Sequence, residues 1–297
     1  MTTDSLLTRN GMKLILNRAY KSSPDYNPVS DFKISDDTSV FLESDTDLEE
    51  NIIPISGAET VDDCETADWT ESADATADSL NSTSYKENAN SINMGKDGTA
   101  STTASYSKTT TSVDGTSKDL CLWVYIADTD DLASSNALTI RFGSDSSNYY
   151  QKQYDRSELS DGWNFLKIAI SSEFDTTNGS PSISSLDYSY IAFETTNTSD
   201  TITSGDLRMD YWHVVESNDY IKSIESGYPQ VDENSLIVSM RAKLTTTEAN
   251  GHAISKIGWF NDDASRLMEG GANFSAISKS SSDILIFVTK RRVRNKS

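Results

Sequence analysis

The stretch LCLWVYI, residues 120–126, sets the tightest limit on what this chain can fold into. Leu120, Leu122, Val124 and Ile126 alternate with Cys121, Trp123 and Tyr125. A period of two belongs to a β-strand, whose successive side chains point to opposite faces. The strand therefore carries an aliphatic row on one face and an aromatic row on the other. Further aromatic-rich runs follow up to residue 216: ALTIRFGSDSSNYYQKQY, DGWNFLKIAI, YSYIAFETT and LRMDYWHVV, separated by Ser, Asp and Gly turns. Strands at such short spacing predict a β-sandwich or jelly roll.

The flanks have a different character. Asp4 or Ser5 is suited to cap a helix running to about Tyr20, with Leu6, Leu7, Leu14, Ile15 and Leu16 as its apolar stripe. Gly11 weakens that helix by about 1 kcal/mol relative to Ala, and Pro24 and Pro28 end it. DFKIS, SVFLES and IIPIS read as short strands around the acidic SDTDLEEN. From Gly57 to about Lys118 the chain turns to Ser, Thr, Ala and Asp, yet Trp69, Tyr85, Ile92, Met94, Tyr106 and Val113 recur. A linker buries nothing, so this segment predicts the first, polar strands of the sandwich, with SKTTTSV as a Thr-rich edge. After Glu216, LIVSMRAKL, HAISKIGWF and ILIFVTK predict strands, and Gly270–Gly271 a turn. The expected organisation is mainly β: a sandwich at 57–216 inserted into a smaller β-rich module made of 1–56, with its N-terminal helix, and 217–297.

Charge narrows the partners. The 297 residues carry a net charge of -21, and no Lys or Arg occurs between Ile34 and Tyr85. Such a field disfavours nucleic acid and anionic membranes. The end of the chain reverses the sign: Lys290 to Ser297 reads KRRVRNKS, either a tail for an acidic partner or a frayed, solvated terminus. Cys64 and Cys121 supply neither a disulfide framework nor a zinc pattern. The N-terminus lacks a signal-peptide pattern, and no run approaches the roughly 20 apolar residues of a membrane span. Synthesis and folding in the cytoplasm are expected.

The chemistry-bearing residues point to binding rather than catalysis. Glu43, Asp45 and Glu49 have a spacing loosely like a glycosidase acid pair. The residues between them are polar, however, and acidic composition accounts for the spacing. His213 and His252 lie in different segments, and no nucleophile elbow or phosphate-cradling glycine loop is present. An enzyme is not expected. A structural Ca²⁺ is, because Asp210 in LRMDYWHVV needs a partner and Asp63 or Glu65 in ETVDDCE is able to supply one. For a ligand, Trp123 and Tyr125 are expected to meet Tyr149 or Tyr150 and Arg141 on one sheet face, with Gln151 and Lys152 beside them. Flat rings stack on sugars while Arg and Gln bond hydroxyls. The competing expectation is that this aromatic face is a second buried face.

Two resemblances accompany these readings. The central segment resembles jelly-roll carbohydrate-binding modules and their concanavalin-like relatives. The matching features are DCETADW with Trp69, the pair DLCLWVYI and ALTIRFGSDSSNYY, GWNFLKI, and a closing MDYWHV. The flanks resemble modules of tailed-phage tail, collar and fibre proteins through the N-terminal helix, SDTDLEENI and ANGHAISKIGWFNDD. In the last motif Lys256 and Trp259 replace the commoner acidic and aliphatic residues. The resemblances imply a virion structural protein, assembled in the host cytoplasm as a homo-oligomer with other virion proteins, that displays a sandwich toward host-surface glycan. The alternative they imply is a bacterial carbohydrate-binding protein without catalytic activity.

Overall fold

The computed structural model describes residues 5–48, 52–55, 59–263 and 266–292. The chain divides into two compact units, residues 58–216 and residues 1–57 together with 217–297.

The unit of residues 58–216 is a sandwich of two antiparallel sheets. In one, the strands run in the order Thr176–Asn178, Asn148–Tyr154, Leu138–Asp145, Leu186–Glu194, Thr103–Val113 and Thr70–Glu71. In the other, the order is Gly162–Ala169, Lys118–Ile126, Ile202–Glu216, Ser91–Lys96 and Ser79–Asn81, and Glu59–Asp62 also pairs with Ile202–Glu216. Alternation explains why they pack. Leu120, Leu122, Val124 and Ile126 from one sheet meet Leu138, Ile140, Phe142, Ile191 and Phe193 from the other in a single core. Trp69 and Trp212 close it with ring centroids 5.6 Å apart. The Thr-rich half of Thr103–Val113 is an edge: Thr70–Glu71 reaches only Tyr106 and Ser107.

A buried lysine ties one end of this sandwich. The Lys96 ammonium donates to the carbonyls of Gly98, Thr198 and Asp200 at 2.8, 2.9 and 2.8 Å. Three carbonyls around one cation satisfy a buried charge that would otherwise be costly.

In the other unit, residues from both ends of the chain share a sheet in the order Ser5–Leu7, Met268–Ser278, Ala253–Asn261, Val29–Ser35 and Lys222–Ser223. Phe32 pairs in register with Trp259, and both are fully buried. A second sheet orders Gln230–Asp232, Ile237–Leu244 and Leu285–Arg292. The unusual Lys256 is buried and ion-paired with Asp37, also donating to Ser39 Oγ at 2.8 Å. Burial would raise the Asp37 carboxyl, but bonds from Lys256 and Ser39 hold it at about 2.

Several local expectations are corrected. The helix spans Arg9–Tyr20 and is capped by Thr8, whose hydroxyl accepts from Gly11 N at 3.0 Å. Ser5–Leu7 forms a strand paired with residues 270–272 instead. A sheet edge was available to these residues, and pairing with it satisfies their backbone groups without a further helical turn. Of the stripe, Leu14 is buried, while Ile15 and Leu16 are exposed. SVFLES is a loop, and of IIPIS the described residues 52–55 are loop with one bridge, Ser35 to Ile52. Gly270–Gly271 lies within the strand Met268–Ser278. A Cβ at Gly271 would collide with the Phe41 ring, so close packing, not a turn, demands this glycine. Lys290 and Arg291 belong to the last strand, with Arg291 paired to Glu269, and residues 293–297 lie outside the described residues.

Candidate carbohydrate-binding groove

The outer face of the sheet containing Leu138–Asp145 is built in rows that cross the strands. One row reads Tyr149, Gly143, Tyr188 and Thr109; the next reads Gln151, Arg141, Tyr190 and Ser107; a third reads Gln153, Thr139, Ala192 and Ser105. Glu194 opposite Thr103 follows. Period-two geometry sends all of these outward, because Leu138, Ile140, Phe142, Ile191 and Phe193 point into the core. Gly143 matters to this arrangement. A Cβ there would come within 2.6 Å of the Tyr149 backbone, so only glycine lets that strand bulge close at Asn148–Tyr149.

Arg141 is the centre of the face. Its guanidinium carbon lies 4.6 Å from the Tyr149 ring and 4.3 Å from the Tyr190 ring, and its Nε donates to Gln151 Oε1 at 2.8 Å. The two rings and the amide hold the fork in one plane. A groove of roughly 590 Å³ opens here, walled by Ser134, Ser135 and Asn136 at one side and by Thr195 and Thr196 at its end. Its floor is Thr139, Arg141, Gln151, Gln153, Tyr190 and Ala192. Glu194 also lines it, but its two oxygens accept from the hydroxyls of Thr102 and Thr103. From Tyr188 to Glu194 the strand covers roughly 20 Å at about 3.3 Å per residue, the reach of a short oligosaccharide. The groove thus combines a half-buried ring, neutral amides and hydroxyls, one cation and one carboxylate.

The expected site residues separate here. Arg141, Tyr149 and Gln151 come together as their spacing predicts. Tyr150 does not join them: it points inward, packs on the core and lies 5.6 Å from Phe174. Adjacent residues of a strand cannot share a face, so only one of the two tyrosines was available. Lys152 sits with Tyr150's parity and pairs with Asp175 at 3.0 Å. Tyr190, absent from the residues expected at the site, belongs to the floor, and Tyr188 lies beside it in the next row; their alternation in YSYIAF was the signal.

Trp123 and Tyr125 lie on the other sheet, across the core from Arg141. Trp123 is only 5% exposed, covered by Phe165 at 4.8 Å and by the Lys86 ammonium at 4.6 Å. It cannot stack on a sugar. Tyr125 packs edge-on against Trp163 at 5.4 Å, and Arg208 lies 4.2 Å from its ring. Trp123 is thus packed beneath residues of its own unit, while Tyr125 stays half-buried.

The carboxylates expected to hold Ca²⁺ have other work. Asp210 is fully buried and accepts from the backbone N–H of Lys86 and Glu87 at 2.6 and 3.0 Å. Glu65 accepts from Ala89 N, Asn90 N and Asn90 Nδ2 at 2.9, 2.8 and 2.7 Å. Asp63 is exposed and accepts from Glu65 N at 3.2 Å. Asp210 and Glu65 thereby pin residues 86–90, with the Lys86 ammonium over Trp123. Among the described residues no group of three or more His, Cys, Asp or Glu is placed to hold a metal. Burial pushes the Asp210 carboxyl up to about 7, the loop N–H groups opposing. Burial likewise pulls His213 down to about 4. The acid run at Glu43 and Asp45 is loop, Asp45 accepting from Leu42 N at 2.8 Å, while Glu49 lies outside the described residues. Among the described residues no helix is long and apolar enough to cross a membrane.

No protein-family pattern matches the chain, and no curated protein matches its sequence. Solved structures match the chain at low identity and low TM-score. A family 11 carbohydrate-binding module from Clostridium thermocellum, in complex with a β-1,3-1,4-mixed-linked tetrasaccharide, is 13% identical, covering 54% of this chain and 96% of that one at a TM-score of 0.38. A xylan-binding domain is 11% identical, covering 55% and 96% at 0.28. The glycoside hydrolase domain of Endo-D from Streptococcus pneumoniae is 11% identical, covering 75% and 36% at 0.30. Values this low assign neither family nor ligand. What the sheets themselves establish is a mainly β chain whose central unit is a β-sandwich.

Proposed function

We propose that residues 58–216 form a non-catalytic carbohydrate-binding domain, and that its ligand lies along the Tyr149–Arg141–Tyr190 face. The observation that carries this reading is the groove itself: Tyr190 and an arginine stacked on Tyr149 and Tyr190 lie on a hydroxyl- and amide-rich floor, whose one carboxylate, Glu194, is taken up by Thr102 and Thr103. Weak single-site contacts suit display in many copies. The second unit is the anchor in this reading. It exposes Met12, Ile15, Leu16 and Tyr20 on its helix, side chains that an assembly would cover. The setting proposed for that assembly is a phage virion, supported by the resemblance of the flanking segments to tail, collar and fibre modules. Affinity electrophoresis of the full-length protein in polysaccharide gels tests the domain, with Tyr190→Ala as control. Retarded migration that the variant loses supports it; migration unchanged in every polysaccharide overturns it. Detection of the chain by mass spectrometry in purified particles tests the setting, and its absence from them would leave the bacterial alternative.

A further inference from the structure

Arg141 differs from many cations of this acidic chain. Lys33, Lys108, Lys118, Lys152, Lys222 and Lys256 each meet a carboxylate. With 46 acidic against 25 basic residues, acidic partners are plentiful. Yet among the described residues no carboxylate lies within ion-pair distance of Arg141, although it sits on the floor of an open groove. Its Nε is committed to Gln151 and its plane is fixed by Tyr149 and Tyr190. Among the described residues nothing accepts from its two terminal nitrogens. A planar, pre-oriented guanidinium with its outer donors open is the shape that takes a carboxylate through two parallel bonds.

The surroundings fit the remainder of such a ligand. Thr139, Gln153, Asn136 and Ser134 are uncharged and suit sugar hydroxyls. Glu194, the one carboxylate of the lining, stands four residues from Tyr190, roughly 13 Å along the strand at about 3.3 Å per residue, and is already engaged by two threonine hydroxyls. The chain's net charge does not forbid an anion here, because charges beyond about 8 Å are screened at physiological salt.

Resting on the carbohydrate reading above, we infer that the groove selects an acidic polysaccharide, with a uronate carboxylate seated on Arg141 and neighbouring hydroxyls on Gln153 and Thr139. The test uses the full-length protein and calorimetric titration against polygalacturonate, alginate and hyaluronan. Each polymer is offered as prepared and again after its carboxylates have been reduced to primary alcohols, with a neutral β-glucan alongside. At least one acidic polymer should bind tenfold or more tightly than its reduced form, and Arg141→Gln should erase that preference. Near-UV circular dichroism checks that the variant is folded; if it is not, the native-against-reduced comparison decides alone. Equal binding of native and reduced polymers, or binding of the neutral glucan alone, overturns the acidic preference and leaves the groove as a sugar site. Binding to none of the polymers, charged or neutral, overturns the carbohydrate reading and this inference with it.

Discussion

The two outer faces of the sandwich use the same materials to opposite ends. Each sets aromatic rings beneath a cation: Arg141 over Tyr149 and Tyr190 on one, Lys86 over Trp123 and Arg208 over Tyr125 on the other. On the first, Arg141 and the Tyr190 ring line an open groove. On the second, the 84–90 loop folds down, anchored by Asp210 and Glu65, and Trp123 becomes interior. Aromatic content therefore does not mark a binding face. What marks it is whether backbone N–H groups nearby find carboxylates that hold a cover in place.

The largest effect should come from the covered face. Trp123→Ala leaves a hole between Phe165 and the loop, and emptying a site of this size costs about 3–5 kcal/mol. Denaturant unfolding should record that loss, while the variant, wherever it remains folded, binds polysaccharide as before. Loss of binding without loss of stability would reverse the assignment of the two faces.

Titration offers a second, smaller contrast, again confined to the covered face. Asp210 keeps its proton to about 7 when folded, against an ordinary value of 3.8. Its stabilising contribution is therefore fully present below 3.8 and is lost as pH rises to about 7. His213 runs the other way, its contribution being present above 6.5 and lost as pH falls to about 4. A tenfold change in proton affinity on folding is worth about 1.4 kcal/mol, so the two largely oppose each other between these limits. Single variants should separate them. Asp210→Asn should leave stability rising with pH from about 4 to 6.5, and His213→Gln should leave it falling with pH up to about 7. Parallel pH profiles for the two variants would show that neither group is buried as described.

On the open face the expected energies are smaller and appear in binding. Tyr190→Ala removes one ring from the floor, a contact of about 0.5–1.5 kcal/mol, so affinity for a bound polysaccharide should fall up to roughly tenfold. Unfolding should be nearly unchanged, since the ring lies on the groove side of its strand. A drop in stability comparable to that of Trp123→Ala would mean the groove is filled by protein. The smallest effect concerns calcium. With Asp210 Oδ2 and Glu65 already taking N–H groups of the 84–90 loop, the melting temperature should not move between added Ca²⁺ and chelator. A rise with Ca²⁺ would mean that the ion displaces those bonds and that the cover is metal-dependent.

Much of this was legible in the residues alone. Alternation in LCLWVYI and ALTIRF fixed the inner row, the strand identity and the sandwich, because a side chain's face follows from its parity. Arg141, Tyr149 and Gln151 share a face for the same local reason, across a short turn. Parity does not say which strands become neighbours or what lies over a finished face. The pairing of Leu138–Asp145 with Leu186–Glu194, which brings Tyr188 and Tyr190 beside Arg141, spans over forty residues of sequence. Folding of residues 84–90 onto Asp210 spans well over a hundred. The same limit hid Gly270–Gly271, whose strand role depends on Phe41. Local chemistry determined which side chains point the same way. Long-range pairing, driven by core burial and the demand that buried N–H groups find acceptors, decided which of those faces stayed open.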